Sequence, residues 1–399
     1  MMGTSKVCTS LFVPRRLRSY SVRRSIRTLS GVVAGVVATV ALGASQVLAY
    51  SAVILDNLPS GGSNTAYGVN NFQPTNFAFL VVGVNYNQGS QSPVYWDSTG
   101  TAHALPLPTG SGGGVARGVN KNGIIVGWIA NPSGEQHAAL WSPSTTGGYN
   151  SPVDMGTLGG NSSIAYGINE AGDVVGDSTL TGNTVHRGFI DPAGSVGMTD
   201  LGTVQGSSTS FSTARAINNN GVIVGGSIGT NGYTCSCAWT YSTSGGLTVN
   251  TPTSFGILAG PPGRHGFTQT ANAVNDFGLS SLVAVGIGTK SNLVNESTGV
   301  GDGPSGHDGT KWTQSGGSVK LNFSGAVRQM EATGVNDAGR IIGNCSGNVS
   351  PWYASYTDDN STFYSLPDPT FGDDGTEAFA INNYNVIVGD ASGQAVYWY

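Results

Sequence analysis

From residue 50 onward the hydrophobic positions of this 399-residue chain come in short bursts that keep one order. Each unit opens with Ala, any residue, Gly or Ala, Val or Ile, and Asn. A Gly usually follows three residues later and leads into an apolar run that ends in another Gly. Seven copies begin at Ala66, Ala116, Ala165, Ala214, Ala271, Ala332 and Ala378. The asparagines that close them, Asn70, Asn120, Asn169, Asn218, Asn275, Asn336 and Asn382, stand 50, 49, 49, 57, 61 and 46 residues apart. A period of this length marks an architecture built by repeating one supersecondary unit.

The opening string reads as a strand, and the residues after Asn as a tight turn in which Asn accepts from the backbone and Gly takes positive φ. The next run is apolar without alternation, as at 124–126, 222–224 and 386–388, which predicts a strand covered on both faces. A third strand ends in an aromatic, Trp96, Trp141, Trp239, Trp312, Tyr356 or Trp398, with Ile190 in the remaining copy. A weaker fourth run is typified by residues 153–158. Four short antiparallel strands per repeat predict an all-β chain folded as a seven-bladed β-propeller of four-stranded blades. Residues 50–58 read as a lone fourth strand, and residues 395–399 as a third strand with none after it. The N-terminal strand is therefore expected to complete the C-terminal blade, closing the ring and removing a free sheet edge. An open solenoid of the same period gains nothing from termini split in this way.

Composition supports one repetitive domain over 50–399: 62 glycines and only 10% charged residues suit short strands joined by tight turns. Residues 1–49 read as a signal peptide. Lys6, Arg15, Arg16, Arg18, Arg23, Arg24 and Arg27 precede an apolar stretch at 31–44 with no acid among them, and Val47-Leu48-Ala49 offers a cleavage site. A retained anchor over 31–55 is the lesser reading. Arg23-Arg24 loosely resembles a twin-arginine signal, so the export route stays open. The expected location is extracellular or periplasmic, with no membrane span after cleavage. Seven of the 17 basic residues lie in this leader, which leaves 10 against 22 acidic ones and a formal charge near −12. That charge argues against nucleic acid as a partner. Cys235, Cys237 and Cys345 are too few for a disulfide scaffold, and the Cys235-Ser-Cys237 spacing is awkward for a mutual bridge.

The units beginning at Ala116 and Ala165 resemble the His-Ala-Phe (HAF) extracellular repeats of bacteria. That pattern runs Ala-x-Gly-Ile-Asn, Gly-x-Val-Val-Gly, His-Ala-Phe-x-Trp and Asp-Leu-Gly-Thr-Leu-Gly-Gly. The nearest matches to its triplet are His137-Ala-Ala and the string His186-Arg-Gly-Phe189, and five units lack the His. The resemblance covers essentially all of 50–399. It implies export and a repeat fold, and no established activity.

The repeated Asn and Gly positions are accounted for by turns, and the strand-ending tryptophans by the filling of space between blades. Gly225-Gly-Ser227-Ile-Gly229 matches the Gly-x-Ser-x-Gly string of hydrolases. No helix follows it, however, and none of His103, His137, His186, His265 and His307 is spaced to serve it, so no catalytic residue is nominated. Asp302 and Asp308 are weak calcium candidates without a recognised ligand spacing; no other cofactor is expected. If strands alternate direction, the loops between second and third strands and those between units share one face, where the unequal loops collect. Arg264, His265, Arg328, Asp373 and Asp374 on that face form the candidate ligand-binding set. The expected function is a non-catalytic binding module for an extracellular glycan or surface protein. The alternative, a polysaccharide hydrolase or lyase, needs His, Arg and carboxylates converging at the mouth of the central channel.

Overall fold

A computed structural model describes residues 50–71, 79–195, 197–244, 246–256, 267–290, 307–314, 316–321, 329–346, 352–370 and 375–399. Seven antiparallel sheets follow one another along the chain. Their innermost strands are Ser63–Val69, Gly114–Val119, Gly159–Ile168, Ser212–Ile217, Phe267–Val274, Gln329–Val335 and Thr376–Ile381. These are the seven Ala-x-Gly/Ala strings of the sequence, and they stand around a central channel in a seven-bladed propeller. Ala52–Ile54 pairs antiparallel with Gln394–Trp398, Ala52 opposite Trp398, so the N-terminal strand is the outer strand of blade seven. One blade departs from the plan: the outer edge of blade four is split into Thr248–Val249 and Thr253–Ser254, both paired with Thr234–Ser242.

The repeat string has a steric cause. In every blade the inner strand carries a β-bulge directly after its Ala, between Ala66 and Gly68 in blade one and at the matching place in the others. The bulge presses the carbonyl of the preceding residue against the second strand. A Cβ at Gly83, Gly127, Gly176, Gly225, Gly286, Gly343 or Gly389 would overlap the carbonyl oxygen of Thr65, Val115, Ile164, Thr213, Thr270, Glu331 or Glu377 respectively. Only glycine fits there. The seven alanines are fully buried, and a Cβ at Gly68 would stand 2.7 Å from the Arg117 carbonyl oxygen of the next blade, which is why the position after x stays small.

Aromatics fill the gaps between blades. Trp96, Trp141, Trp239, Trp312 and Trp398 are all fully buried. Three of them donate Nε1–H to a loop carbonyl: Trp96 to Asp56 at 2.8 Å, Trp141 to Pro106 at 2.9 Å and Trp398 to Pro367 at 2.7 Å. The second strands are buried on both faces, as their apolar runs require; Ile125, Val126, Val175, Ile223 and Ile387 have no exposed surface.

The repeated asparagines form a belt. Each side-chain oxygen accepts from the backbone of its own turn, Asn218 Oδ1 from Asn220 N at 3.0 Å and Val222 N at 2.8 Å. In six of the seven the amide nitrogen reaches the carbonyl of the equivalent asparagine one blade on, as in Asn120 to Asn169 at 3.1 Å, Asn218 to Asn275 at 2.8 Å and Asn382 to Asn70 at 3.0 Å. The last bond crosses from blade seven to blade one and ties the ring shut. One short polar side chain thus satisfies both its own turn and the neighbouring blade.

Candidate functional site

Alternation along the inner strand sends every second residue into the channel, and these residues form tiers. Nearest the first turn lies an aliphatic tier, Val69, Val119, Ile168, Ile217, Val274, Val335 and Ile381, facing a cavity of about 170 Å³ at that mouth. Two residues earlier stands the x of the repeat string: Tyr67, Arg117, Tyr166, Arg215, Asn272, Thr333 and Phe379, all half-buried. Two residues earlier again, towards the face of the long loops, come Thr65, Val115, Ile164, Thr213, Thr270, Glu331 and Glu377.

The middle tier is where chemistry collects. The Arg117 guanidinium lies 4.4 Å from the ring centroid of Tyr67, and that of Arg215 lies 4.4 Å from Tyr166. Each is a cation held on an aromatic face. Both Nε atoms are buried without a hydrogen-bond partner among the described residues. Tyr67 continues the wall edge-on to Phe379, centroids 5.3 Å apart, and its hydroxyl meets that of Tyr86 at 3.2 Å. Glu331 of blade six accepts from Asn272 Nδ2 of blade five at 3.4 Å, and Asp390 of blade seven accepts from Thr65 Oγ1 of blade one at 3.3 Å. Asp177 meets His186 Nδ1 at 3.1 Å and the Thr213 hydroxyl at 3.4 Å.

Electrostatics divides this wall. Burial raises the Glu331 carboxyl above its ordinary range, opposed by His307 and Arg215. Burial also raises Glu377, and the neighbouring charges of Asp390 and Glu331 push the same way. Asp390 is raised by burial against the Gly393 N–H and the Thr65 hydroxyl. Tyr166 is pushed up to about 12 by burial and by Asp177. The middle tier of blades one to four therefore presents cations and rings, and blades six and seven add carboxylates whose neutral form is favoured. Planar donors and acceptors beside aromatic faces can hold a polyhydroxylated ligand.

The opposite mouth is closed in chemistry. There the residue after each asparagine clasps its neighbour: Lys121 N donates to Glu170 Oε2 at 2.7 Å, Glu170 N to Asn219 Oδ1 at 2.8 Å, Asp276 N to Asp337 Oδ1 at 2.7 Å, and Asn383 N to Asn71 Oδ1 at 2.9 Å. Its carboxylates are used as inter-blade clasps.

Of the residues singled out in the sequence, Arg264, His265, Arg328, Asp373, Asp374 and Asp302 lie outside the described residues. Asp308, the other weak calcium candidate, belongs to the strand His307–Thr313, is 5% exposed, and pairs across strands with Lys320 at 2.5 Å. Ser227 is fully buried within Val222–Ile228, and its Oγ accepts from Val204 N at 2.9 Å. Cys235, Cys237 and Cys345 are buried, and the Cys345 thiol lies 3.0 Å from Ser355 Oγ. Among the described residues no group of three His, Cys, Asp or Glu is placed to hold a metal ion.

Register also reassigns the triplet of blade three. His137 pairs across strands with Asp154 at 2.9 Å. The residue in the same register in blade three is Arg187, not His186, and it faces Asp200 at 3.4 Å. Blade five has the charges reversed, in Asp308 and Lys320. The x tier escaped sequence reasoning because it is the one variable place in a constant string; counting alternation back from Asn would have put it in the channel.

No family model matches the chain, and no curated protein matches it. Among solved structures, an oligogalacturonate lyase from Vibrio parahaemolyticus is similar over 88% of this chain and 96% of its own, at 10% identity and TM-score 0.48. The protein AofleA from Arthrobotrys oligospora is similar over 80% and 90%, at 12% identity and TM-score 0.39. A putative gluconolactonase covers 88% and 91%, at 10% identity and TM-score 0.35.

Proposed function

We propose that the protein is an exported binding module that holds an extracellular glycan in the long-loop end of its propeller channel, without transforming it. The observation that carries this reading is the pair of guanidiniums seated on tyrosine faces, Arg117 on Tyr67 and Arg215 on Tyr166, in the same channel as Glu331, Glu377 and Asp390. Sugars offer hydroxyls that donate and accept together with apolar C–H faces, and this wall supplies a partner for each. Export is supported by the basic leader and apolar stretch of residues 1–49, and by the likeness to extracellular HAF repeats.

The test is a glycan-array screen of residues 50–399, run with calcium and again with chelator. Saturable binding in both buffers supports a calcium-independent lectin-like module. Binding lost with chelator would assign the recognition to a bound cation, and no binding in either buffer would reject a glycan ligand. A hydrolase or lyase is the second reading, favoured by one observation: three raised carboxyls stand together at the channel, as acid–base chemistry demands. Release of new reducing or unsaturated ends from an array hit would establish it.

A further inference from the structure

Two arginines outside the channel show opposite degrees of satisfaction. Arg340 is closed: Nε and Nη2 hold Asp358 at 2.7 and 2.8 Å, Nη1 donates to Tyr50 Oη at 2.8 Å, and the rings of Tyr50 and Tyr356 cover its faces. Arg187 is 4% exposed, and among the described residues its donors are not all taken. Nε donates to the Ser210 carbonyl and Nη2 to the Ser207 carbonyl, each at 2.7 Å, which pins the loop between blades three and four. Nη1 reaches Asp200 Oδ2 only at 3.4 Å, well beyond the roughly 2.7–2.9 Å of a formed charge-assisted bond. Of five guanidinium N–H groups, the two protein carbonyls take two and Asp200 loosely takes a third.

This open pair lines a groove of about 540 Å³. Leu201 and Thr203 of the pinned loop form one side. Val249, Thr251 and Pro252 form the other, at the place where the outer strand of blade four is split into two short pieces. The split is what sets this inter-blade space apart from the others, and the groove volume falls in the range of small-molecule sites, about 300–1,000 Å³. Asp200 Oδ1 is held by Gly202 N at 2.7 Å, so its position is fixed while Oδ2 still has room to accept.

From this we infer a second sugar subsite in the groove between blades three and four, recognising the vicinal diol of a neutral hexose. One hydroxyl accepts from Arg187 Nη1, its neighbour donates to Asp200, and the sugar C–H face rests on Val249 and Pro252. A ligand carboxylate fits less well, because Asp200 stands beside the cation and repels it. The subsite shares with the proposed function only the choice of a glycan as ligand; its residues and position are separate.

The test is saturation-transfer NMR of residues 50–399 with the methyl glycosides of glucose, mannose and galactose, and with methyl glucuronide. Three proteins are compared: wild type, Asp200→Ala, and Arg117→Ala/Arg215→Ala. The expected result is transfer to at least one neutral glycoside by wild type and by the double variant, a five-fold or greater loss in D200A, and a gain for glucuronide in D200A as the Arg187 charge is freed. Thermal melts confirm folding. A second variant, Thr251→Trp, fills the groove without touching Arg187 and should abolish the same signal. Transfer unchanged by D200A and by T251W would overturn the subsite, as would no transfer to wild type from any neutral glycoside. Signal lost only in R117A/R215A would overturn it while leaving the channel site standing.

Discussion

The two ends of the channel are built by the same seven strands and differ in kind. At the turn end, every blade contributes the same residue types, a Val or Ile facing the channel and then an Asn, and six of the seven asparagines donate to the carbonyl of the next. Further toward the long-loop end, the middle tier contributes Tyr, Arg, Tyr, Arg, Asn, Thr and Phe in turn, and two arginine Nε atoms have no hydrogen-bond partner among the described residues. A closed ring needs identical interfaces, and constancy is what that costs. Once the ring is tied at one end, side chains at the other are released from the repeat and can differ. Stability and recognition are thereby assigned to different residues of one short strand.

Substitutions on the constant side should separate from those on the variable side by size of effect. Gly176→Ala places a Cβ on the Ile164 carbonyl oxygen; it is expected to destabilise by about 3 kcal/mol or more, seen as a lowered urea midpoint. Asn382→Ala removes the bond that closes blade seven onto blade one and leaves the Asn70 carbonyl and two turn N–H groups short of a partner, a loss of about 1–3 kcal/mol. If either variant melts like wild type, the belt and bulge do not hold the ring.

The sequence made the constant side legible in detail. Alternation and period gave seven inner strands, the doubly covered second strands, the buried tryptophans, and the pairing of Ala52–Ile54 with Gln394–Trp398. Repetition exposes whatever is under steric compulsion, such as Gly176 against Ile164. It hides what is not. Tyr67, Arg117, Tyr166 and Arg215 occupy the place where the pattern tolerates any residue, so the same counting that located the ring made the site look like noise. Cross-strand partners were equally hidden: that Arg187 and not His186 faces Asp200 follows from strand register, and register is fixed by turns and bulges rather than by the neighbouring residue types.

Smaller effects sharpen the contrast. Arg117→Ala/Arg215→Ala, on half-buried side chains of the variable tier, should shift stability by less than about 1 kcal/mol while weakening glycan binding about ten-fold, near 1.4 kcal/mol, measured by calorimetric titration. The carboxyl tier gives a pH signature. Raised pKa values at Glu331, Glu377 and Asp390 mean that these groups favour the folded state fully below the ordinary carboxyl range, and that this contribution is lost as the pH rises through their raised values. Glu377→Gln should therefore melt a little above wild type at neutral pH and together with it near pH 4 (about the ordinary Glu pKa). A variant that melts below wild type at neutral pH would show Glu377 to be a stabilising anion.

The most direct test compares the two ends in one assay. A glycan found on the array is titrated into wild type, into Arg117→Ala/Arg215→Ala and into Asp276→Asn/Asp337→Asn, the last pair lying at the turn end of the channel. The account predicts that binding falls about ten-fold in the arginine variant and is unchanged in the aspartate variant. Binding that survives in the arginine variant, or that fails only when Asp276 and Asp337 are replaced, would contradict it.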